Sequence, residues 1–346
     1  MKTKQLGKVL LMSVLMVGLL APATVVKAKS KIWKLKVQAY AAKSLDPQFV
    51  SAAKLADFIR EYTDGRVDIT VYAMMELVPP REIYSAVGRR VVDGGITIDA
   101  YIAGAHPEAS WALNPAVISK SEDFYACMEA GVKDILDREI MKDNIKMATV
   151  WDLYPAVYGH RKKHIKTLAD FKGQKMRGYG GMADEFMKAI GTGIIVMPMA
   201  EVYSAMQTGV IDGLATGLPG YMSMKGYEVA PYLTIGDKVT GFWTMMLILN
   251  LDLWNEFPKE IKEAIYKAEK AHWKWHIDYL KRYRVEGEEF FKKNGATVHV
   301  LPPDQVVKWR EAFESVATPW YLKKSGDKGR EIFAIVEKTL GKKLLQ

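Results

Sequence analysis

An arginine beside a run of glycines is the group in this sequence best suited to bind a small anion. Arg177 ends a strand-like segment, Lys175–Arg177, and the letters GYGG follow it. A guanidinium can hold a carboxylate through two charge-assisted hydrogen bonds, and neighbouring glycines let backbone N–H groups approach the same anion. The pattern indicates a carboxylate-binding role for Arg177, with an interdomain salt bridge as the alternative.

Aromatic side chains gather near the ends of the predicted strands. Small-molecule clefts are commonly lined by aromatic groups with a few polar ones that fix orientation. Each residue alone is more often part of a core, so the argument depends on their shared position. The aromatic residues are Tyr40, Tyr101, Trp151, Tyr154, Tyr179, Phe242 and Trp243.

The sequence offers little support for a metal site or for catalysis. It has no glycine-rich phosphate loop, no serine nucleophile elbow and no zinc-hydrolase motif. His272 and His276 have the spacing of metal ligands on a helix, but no carboxylate pair accompanies them, which favours packed or surface histidines. We therefore expect no cofactor, no metal and no enzyme activity.

A pattern that occurs twice predicts two similarly built halves. PPREIYSAVGRRVVDG at residues 79–94 matches PMAEVYSAMQTGVIDG at residues 198–213, with a constant offset of 119 residues. This spacing is too long for a solenoid repeat. It predicts two lobes with a cleft between them, whereas two unrelated amphipathic helices are the alternative. Ligands of open α/β sheets bind beyond the carboxyl ends of strands, so the positions just after each copy, Asp99–Tyr101 and Thr216–Gly217, are expected to face the cleft.

The elements that position these residues alternate between strand and helix. Trp33–Tyr40 and Val67–Tyr72 have strand patterns and flank a helical pattern at Pro47–Tyr62, an order that predicts a parallel sheet. Gly241–Asn250 is an apolar strand predicted to be buried on both faces. The helical stripe from Pro258 to Lys293 is longer than one small domain needs, so we expect it to cross both lobes.

The N-terminus has the features of an export signal. Lys2, Lys4 and Lys8 precede an apolar run from Val9 to Ala21, and cleavage is predicted after Ala28. An uncleaved anchor is the alternative. We therefore predict a signal peptide at residues 1–28 and a periplasmic location.

Charge and cysteine content exclude some classes of protein. The formal net charge is +9 and there is one cysteine. The basic residues are spread along the chain without a nucleic-acid motif, so no nucleic-acid partner is expected. Cys127 cannot form an internal disulfide and is predicted to be a packed, inert thiol.

Several motifs in a fixed order resemble the solute-binding proteins of tripartite ATP-independent periplasmic (TRAP) transporters, the DctP-like family. They are GRVDITVYAMMELVPPREIYSAV with RRVVDGG, KTLADFKGQKMRG, PMAEVYSAMQTGVIDG, and the apolar strand ending in Asn250 before Leu253-Trp254 and Pro258. The resemblance implies an α/β fold of the periplasmic-binding-protein type, with two lobes around a hinge and cleft and a long helix crossing both. We assign residues 29–154 plus 243–282 to lobe I and residues 155–242 plus 283–346 to lobe II.

The resemblance also implies how a ligand is held. Arg177 of the motif KMRG would hold a carboxylate, Thr216 would be a polar contact, Met199 a pocket wall, and Trp151 and Tyr154 part of a covering loop. With the residues chosen above, the predicted ligand-contact set is Arg177, Trp151, Tyr154, Thr216, Tyr101, Met199, Phe242, Asp99, Tyr40 and Tyr179.

The function implied is capture of a small organic acid and its delivery to an ion-gradient-driven permease, by a protein expected to be a monomer. Two departures narrow the ligand. No second arginine lies at positions 154–157, and Ala215-Thr216 stands where metal-assisted members carry Glu-Trp. These departures argue against a multiply charged sugar acid and against metal assistance, and the aromatic lining favours a monocarboxylate with an apolar or aromatic body. An exported sensor that presents its bound form to a signalling receptor is the main alternative, and an exported hydrolase is a third.

Overall fold

The computed structural model describes residues 31–43, 46–153, 156–178 and 180–345. The predicted signal peptide, Tyr154 and Tyr179 lie outside these residues. Within the described ranges, no helix has the length and apolar character that a membrane crossing requires.

The described chain contains eleven strands. They are β1 (Trp33–Ala39), β2 (Val67–Tyr72), β3 (Gly94–Ile98), β4 (Ile145–Leu153), β5 (Ala156–His160), β6 (Lys175–Arg177), β7 (Gly193–Ile195), β8 (Gly213–Gly217), β9 (Tyr232–Ile235), β10 (Trp243–Asn250) and β11 (Thr297–Val300).

Twelve α-helices connect these strands in the described residues. They are α1 (Pro47–Tyr62), α2 (Ile83–Gly88), α3 (Asp99–Ile102), α4 (Ser121–Cys127), α5 (Lys133–Ile140), α6 (Gly181–Ala189), α7 (Met199–Thr208), α8 (Leu218–Ser223), α9 (Gly226–Val229), α10 (Leu251–Asn255), α11 (Lys259–Lys293) and α12 (Pro303–Leu340). Short 3₁₀ segments lie at Pro80–Glu82, Pro107–Leu113, Met141–Asp143 and Leu168–Phe171, and a π-helical turn lies at Met128–Val132.

The first sheet has the strand order β2-β1-β3-β10-β4. β1 runs parallel to β2 and to β3, which confirms the parallel order predicted from the strand–helix–strand pattern. α1 makes that crossover; its first turn begins at Pro47, and the Asp46 side chain accepts the backbone N–H of Gln48 as a cap. All residues of the antiparallel strand β10 are buried, as the apolar run predicts.

The second sheet has the strand order β11-β9-β5-β8-β6-β7. The two copies of the doubled pattern lie in different sheets: the first supplies α2 and leads into β3, and the second supplies α7 and leads into β8. The prediction of an α/β fold with two similarly built lobes is therefore confirmed.

The long helix α11 contacts both lobes. Near its middle, His272 Nε2 lies 3.0 Å from the Ser51 hydroxyl of α1. Further along, the Tyr283 hydroxyl lies 3.2 Å from the sulfur of Met222 in α8. The predicted crossing of the two lobes by one helix is thus present.

The last helix, α12, also contacts elements on both sides. The Tyr321 hydroxyl donates to the carbonyl of Glu108 at 3.1 Å, and the ring of Phe313 lies 4.8 Å from that of Phe186 in α6. Residues 303–340 thus tie the second lobe to the segment Pro107–Leu113 of the first, and the exact lobe boundaries stay a prediction.

The single cysteine is part of the core. Cys127 ends α4 and is fully buried. Burial raises the pKa of its thiol to about 12, so the thiol stays protonated and unreactive near neutral pH.

Candidate functional site

A cavity of about 150 Å³ lies between the two sheets, at the carboxyl ends of several parallel strands. The first lobe lines it with residues that follow β1, β2 and β3 and with the end of β4 and start of β10. The second lobe contributes the ends of β6 and β8, the first residue of α7 and two residues of α8. The described lining residues are Tyr40, Ala41, Ala42, Asp46, Gln48, Met74, Ile98, Ala100, Tyr101, Leu153, Arg177, Met199, Thr216, Gly217, Gly220, Ser223 and Trp243.

Arg177 reaches the cavity because it is the last residue of β6. This short strand runs parallel to β7 and β8, with Arg177 opposite Ile195 and Leu214. Its first residue is fixed by Asp212, whose carboxylate accepts the backbone N–H of Lys175 at 2.9 Å. The guanidinium is thus placed at a sheet edge that both lobes approach.

The glycines after Arg177 are required by the backbone. A Cβ atom at Gly178 would collide with the carboxylate of Asp184. Gly180 and Gly181 have φ values of 96° and 56°, a region that side-chain-bearing residues seldom adopt. The sequence predicts that these glycines let backbone N–H groups approach an anion. In the structure they allow the chain to turn from β6 into α6.

An aromatic wall faces Arg177 from the first lobe. The rings of Tyr40 and Tyr101 pack edge to face with their centroids 5.6 Å apart. Burial raises the pKa of the Tyr101 hydroxyl, and the positive charges of Arg177 and Arg81 partly offset this. The Arg81 guanidinium also lies 5.5 Å from the centroid of the Tyr101 ring. Tyr101 therefore lies near two cations and lines both the cavity and the groove beside it.

The second lobe adds a close-packed polar corner. Thr216 lies in β8, and α8 packs so closely against it that a Cβ atom at Gly220 would collide with the Thr216 hydroxyl. Met199 begins α7 and lines the same wall. The structure thus brings together five residues of the predicted contact set: Arg177, Tyr40, Tyr101, Met199 and Thr216.

Three predicted residues do not line the cavity. Trp151 is fully buried, with its ring centroid 5.3 Å from that of His272. Asp99 is also fully buried, its carboxylate accepts the N–H of Ala100 at 2.9 Å, and burial raises its pKa well above the usual range. The backbone N–H of Phe242 donates to the carbonyl of Ala112 at 2.8 Å, and the residue is not part of the cavity lining.

Sequence reasoning missed Asp46 and Gln48, which line the cavity beside the start of α1. The available signal was the dipeptide Asp46-Pro47, which predicts a helix cap but gives no reason to expect a pocket residue. Burial raises the pKa of the Asp46 carboxyl to about 6, against the lowering effect of backbone N–H groups that bond to it.

The cavity opens into a wider groove of about 1290 Å³ that shares Arg177, Tyr101 and Met199 with it. The charged side chains around this groove are mainly basic, and they come from the first lobe, from the second lobe and from α12. In addition to Arg177, the described charged residues that line it are Arg81, Glu82, Lys225 and Lys324.

The two helix histidines lie in the core, away from the cavity. His276 Nδ1 lies 2.9 Å from the Ser51 hydroxyl, and His276 Nε2 lies 2.8 Å from the carbonyl of Asp152. Among the described residues, no three or more histidine, cysteine and acidic side chains are grouped so that they could hold a metal ion.

A two-lobed α/β fold with an arginine at the interlobe cavity can be compared with known families. The family model for bacterial extracellular solute-binding proteins, family 7 (DctP), matches residues 38–324. The chain belongs to this family. The resemblance seen in the sequence motifs is thereby confirmed, and the family is one of solute-binding proteins.

Relatives and solved structures of the DctP family agree with this placement. The chain is 28% identical over 225 residues to the monocarboxylate 2-oxoacid-binding periplasmic protein of Nostoc, an alignment of 64% of this chain and 61% of that one. It superposes on a TRAP periplasmic solute-binding protein from Desulfovibrio salexigens with bound orotic acid, with TM-score 0.80, 23% identity, and 89% and 98% of the two chains covered. A TRAP protein from Rhodoferax ferrireducens with bound malonate gives TM-score 0.79, 22% identity, and 89% and 98% coverage.

Proposed function

We propose that this DctP-family protein captures a small carboxylate in the interlobe cavity and delivers it to the membrane permease of a TRAP transporter. The observation that carries the proposal is the position of Arg177, at the end of β6 on the wall of a cavity that both lobes line. The solved relatives with orotic acid and with malonate, and the Nostoc relative named for monocarboxylates, all concern carboxylic acids.

The cavity fits a monocarboxylate with an apolar or aromatic body. Around Arg177 the wall is formed by aromatic and thioether groups, among them Tyr101, Trp243, Met74 and Met199. These groups can bury the flat or apolar faces of a ligand while the guanidinium holds the carboxylate. Arg177 is the one cation among the described residues that line the inner cavity, which supports a ligand with one carboxylate.

Delivery to a permease requires export and release of the ligand without chemical change. We propose that residues 1–28 direct the chain to the periplasm, where the two lobes close over the ligand and present it to the permease. The ligand would be recovered unchanged after long incubation, whereas a hydrolase would convert it.

The test is a thermal-shift screen of carboxylic acids followed by calorimetry. A ligand at about 100 times its dissociation constant should add about 2.7 kcal/mol of stability, enough for detection. Arg177→Ala should weaken binding of the hit by about 2–5 kcal/mol, because a charged hydrogen-bond partner is removed from a desolvated site. Arg177→Lys keeps the charge but loses the bidentate geometry, so its ligand affinity should lie between those of wild type and Arg177→Ala.

A matched control removes an arginine elsewhere. Arg138 forms an exposed ion pair with Glu331 at 3.0 Å and does not line the cavity. Arg138→Ala should bind the hit as the wild type does. Unchanged affinity in a folded Arg177→Ala protein would refute the assignment of the carboxylate site.

A further inference from the structure

The cavity carries charges of opposite sign on its two sides. Among the described residues that line it, Arg177 of the second lobe is the one cation and Asp46 of the first lobe is the one anion. No described lysine, arginine or histidine lies within ion-pair distance of the Asp46 carboxylate. A carboxylate in a pocket that attracts carboxylates needs its own explanation, because like charges repel at short range.

We infer that Asp46 is the second polar anchor of the site, and that the ligand presents a carboxylate to Arg177 and an N–H group to Asp46. The inference depends on the proposed function and narrows it to carboxylates that also carry an amide, lactam or ammonium N–H. A second carboxylate at this end of the ligand would meet the negative charge of Asp46, whereas an N–H donor would form a charge-assisted hydrogen bond.

The alternative explanation is that Asp46 serves only as a helix cap. Its Oδ1 accepts the N–H of Gln48 at 3.0 Å, which satisfies one free donor at the start of α1. The backbone N–H groups of Ala42 and Phe49 also act on this carboxylate as hydrogen-bond donors. An ionised carboxylate has about four acceptor positions, so these three donors leave one position open. The carboxyl is half-buried and lines the cavity, a placement that capping does not require.

The surroundings of Asp46 allow it to act as an acceptor near neutral pH. The charge of Asp46 acts on three nearby hydroxyls: Tyr40 directly after β1, and Tyr279 and Tyr283 on α11. Burial raises the pKa of each of these tyrosines, so they remain neutral. Because the pKa of Asp46 is about 6, the carboxylate is mostly ionised at pH 7 and becomes protonated as the pH falls below 6.

The experiment compares ligands that differ only in the N–H group. Pyroglutamate is paired with 5-oxotetrahydrofuran-2-carboxylate, and proline with tetrahydrofuran-2-carboxylate; in each pair an oxygen replaces the ring nitrogen. Benzoate and malonate represent carboxylates without an N–H. If neither pair binds, the N–H-bearing hits of the carboxylic-acid screen and their oxygen analogues take their place.

Asp46→Asn separates the two explanations, because asparagine caps a helix about as well as aspartate. We expect the N–H member of a pair to bind wild type about tenfold more tightly than its oxygen analogue or better. Asp46→Asn should reduce this preference, because a neutral amide oxygen is a weaker acceptor than a carboxylate; it should leave the affinity for the oxygen analogue nearly unchanged and keep the thermal stability of the free protein. In the wild type the preference should also decrease as the pH falls through about 6, and in Asp46→Asn it should not depend on pH in that range.

Two failures can be told apart. Carboxylates that bind through Arg177 but show no N–H preference, or screen hits that all lack an N–H, would overturn the role of Asp46 and leave the proposed function intact. Carboxylate binding that survives Arg177→Ala, or no carboxylate binding at all, would overturn the proposed function and this inference with it.

Discussion

Asp93 and Asp212 form equivalent hydrogen bonds in the two lobes. The Asp93 carboxylate accepts the backbone N–H of Lys36 in β1 at 2.8 Å, and the Asp212 carboxylate accepts that of Lys175 in β6 at 2.9 Å. Each aspartate directly precedes the glycine that begins the adjacent strand, β3 or β8. The doubled sequence pattern therefore fastens neighbouring parallel strands together, and neither carboxylate lines the cavity.

Asp93→Ala and Asp212→Ala should each lower the free energy of unfolding by about 1–2 kcal/mol, because a backbone N–H loses a charged acceptor at a partly exposed position. Asp→Asn at the same positions keeps an acceptor and should recover part of the loss. Urea unfolding measures the effect. Ligand affinity should stay close to wild type in all four variants, and a variant with normal stability but abolished binding would contradict this structural role.

The buried histidines should make stability depend on pH. Burial, together with the nearby ring of His276, lowers the pKa of His272 well below its ordinary value. The unfolded chain titrates near the usual pKa of about 6.5, so below that pH it binds a proton that the folded state does not. The free energy of unfolding should therefore fall as the pH falls below about 6.5.

His272→Gln should flatten this dependence by up to about 1.4 kcal/mol per pH unit, since the amide does not titrate. His106 provides a control of opposite sign: burial opposes its charge, but hydrogen bonds to Glu108 and Asp143 raise its pKa overall. Its stabilisation is present at low pH and is lost as the pH rises through the folded-state pKa, so His106→Gln should cost most at low pH. Denaturant midpoints between pH 5 and pH 8 measure both, and parallel curves for His272→Gln and wild type would contradict the assignment.

The basic groove should accelerate capture of an anion. Arg81, Lys225 and Lys324 surround the entrance with Glu82 as the opposing charge. Because exposed charges steer an anion by long-range attraction that salt screens, the association rate should fall as ionic strength rises. Lys324→Glu should slow association and change dissociation little. Lys308→Glu makes the same charge change on the same helix outside the groove and should have a smaller effect; equal effects in stopped-flow measurements would count against steering.

Ligand binding should make the protein more compact. The cavity and the wider groove lie between lobes that only a few elements connect, and hinged lobes close when a ligand bridges them. Small-angle scattering should show a smaller radius of gyration with saturating ligand, and the emission of Trp243 and Trp320, which line the cavity and the groove, should change. Arg177→Ala at the same ligand concentration should show neither change, and identical scattering of free and saturated wild type would exclude closure.

The sequence predicts that Trp151 contacts the ligand, whereas the structure places it in the core. A substitution at Trp151 distinguishes the two positions. Trp151 pairs with Met245 in the sheet, two pairs deeper than Leu153 and Trp243, which reach the cavity. Trp151→Phe should lower stability by about 1–3 kcal/mol through lost packing and leave ligand affinity unchanged. Tyr101→Ala should instead lower the ligand affinity more than it lowers the stability. Calorimetry measures the ligand affinity of both variants, and thermal unfolding measures their stability.

Much of this protein was determined by local sequence. Hydrophobic periodicity predicted α1, β2 and the long helix α11 almost to the residue, because these elements follow from the spacing of their own side chains. The doubled pattern indicated two similar lobes. The position of Arg177 at the end of a short strand before glycines was also readable, since strand ends and glycine turns are local features.

Tertiary structure decided which side chains share the cavity. Two residues of strand cover about 6.6 Å, and that depth separates Trp151 in the core from Leu153 at the cavity wall. Asp46 reaches the site only because α1 packs against β2 and α11, so that its start meets a second sheet whose residues lie more than 100 positions away. Local patterns set each element and its buried face, but the depth of a residue along a strand and the meeting of two lobes depend on the packing of the whole chain.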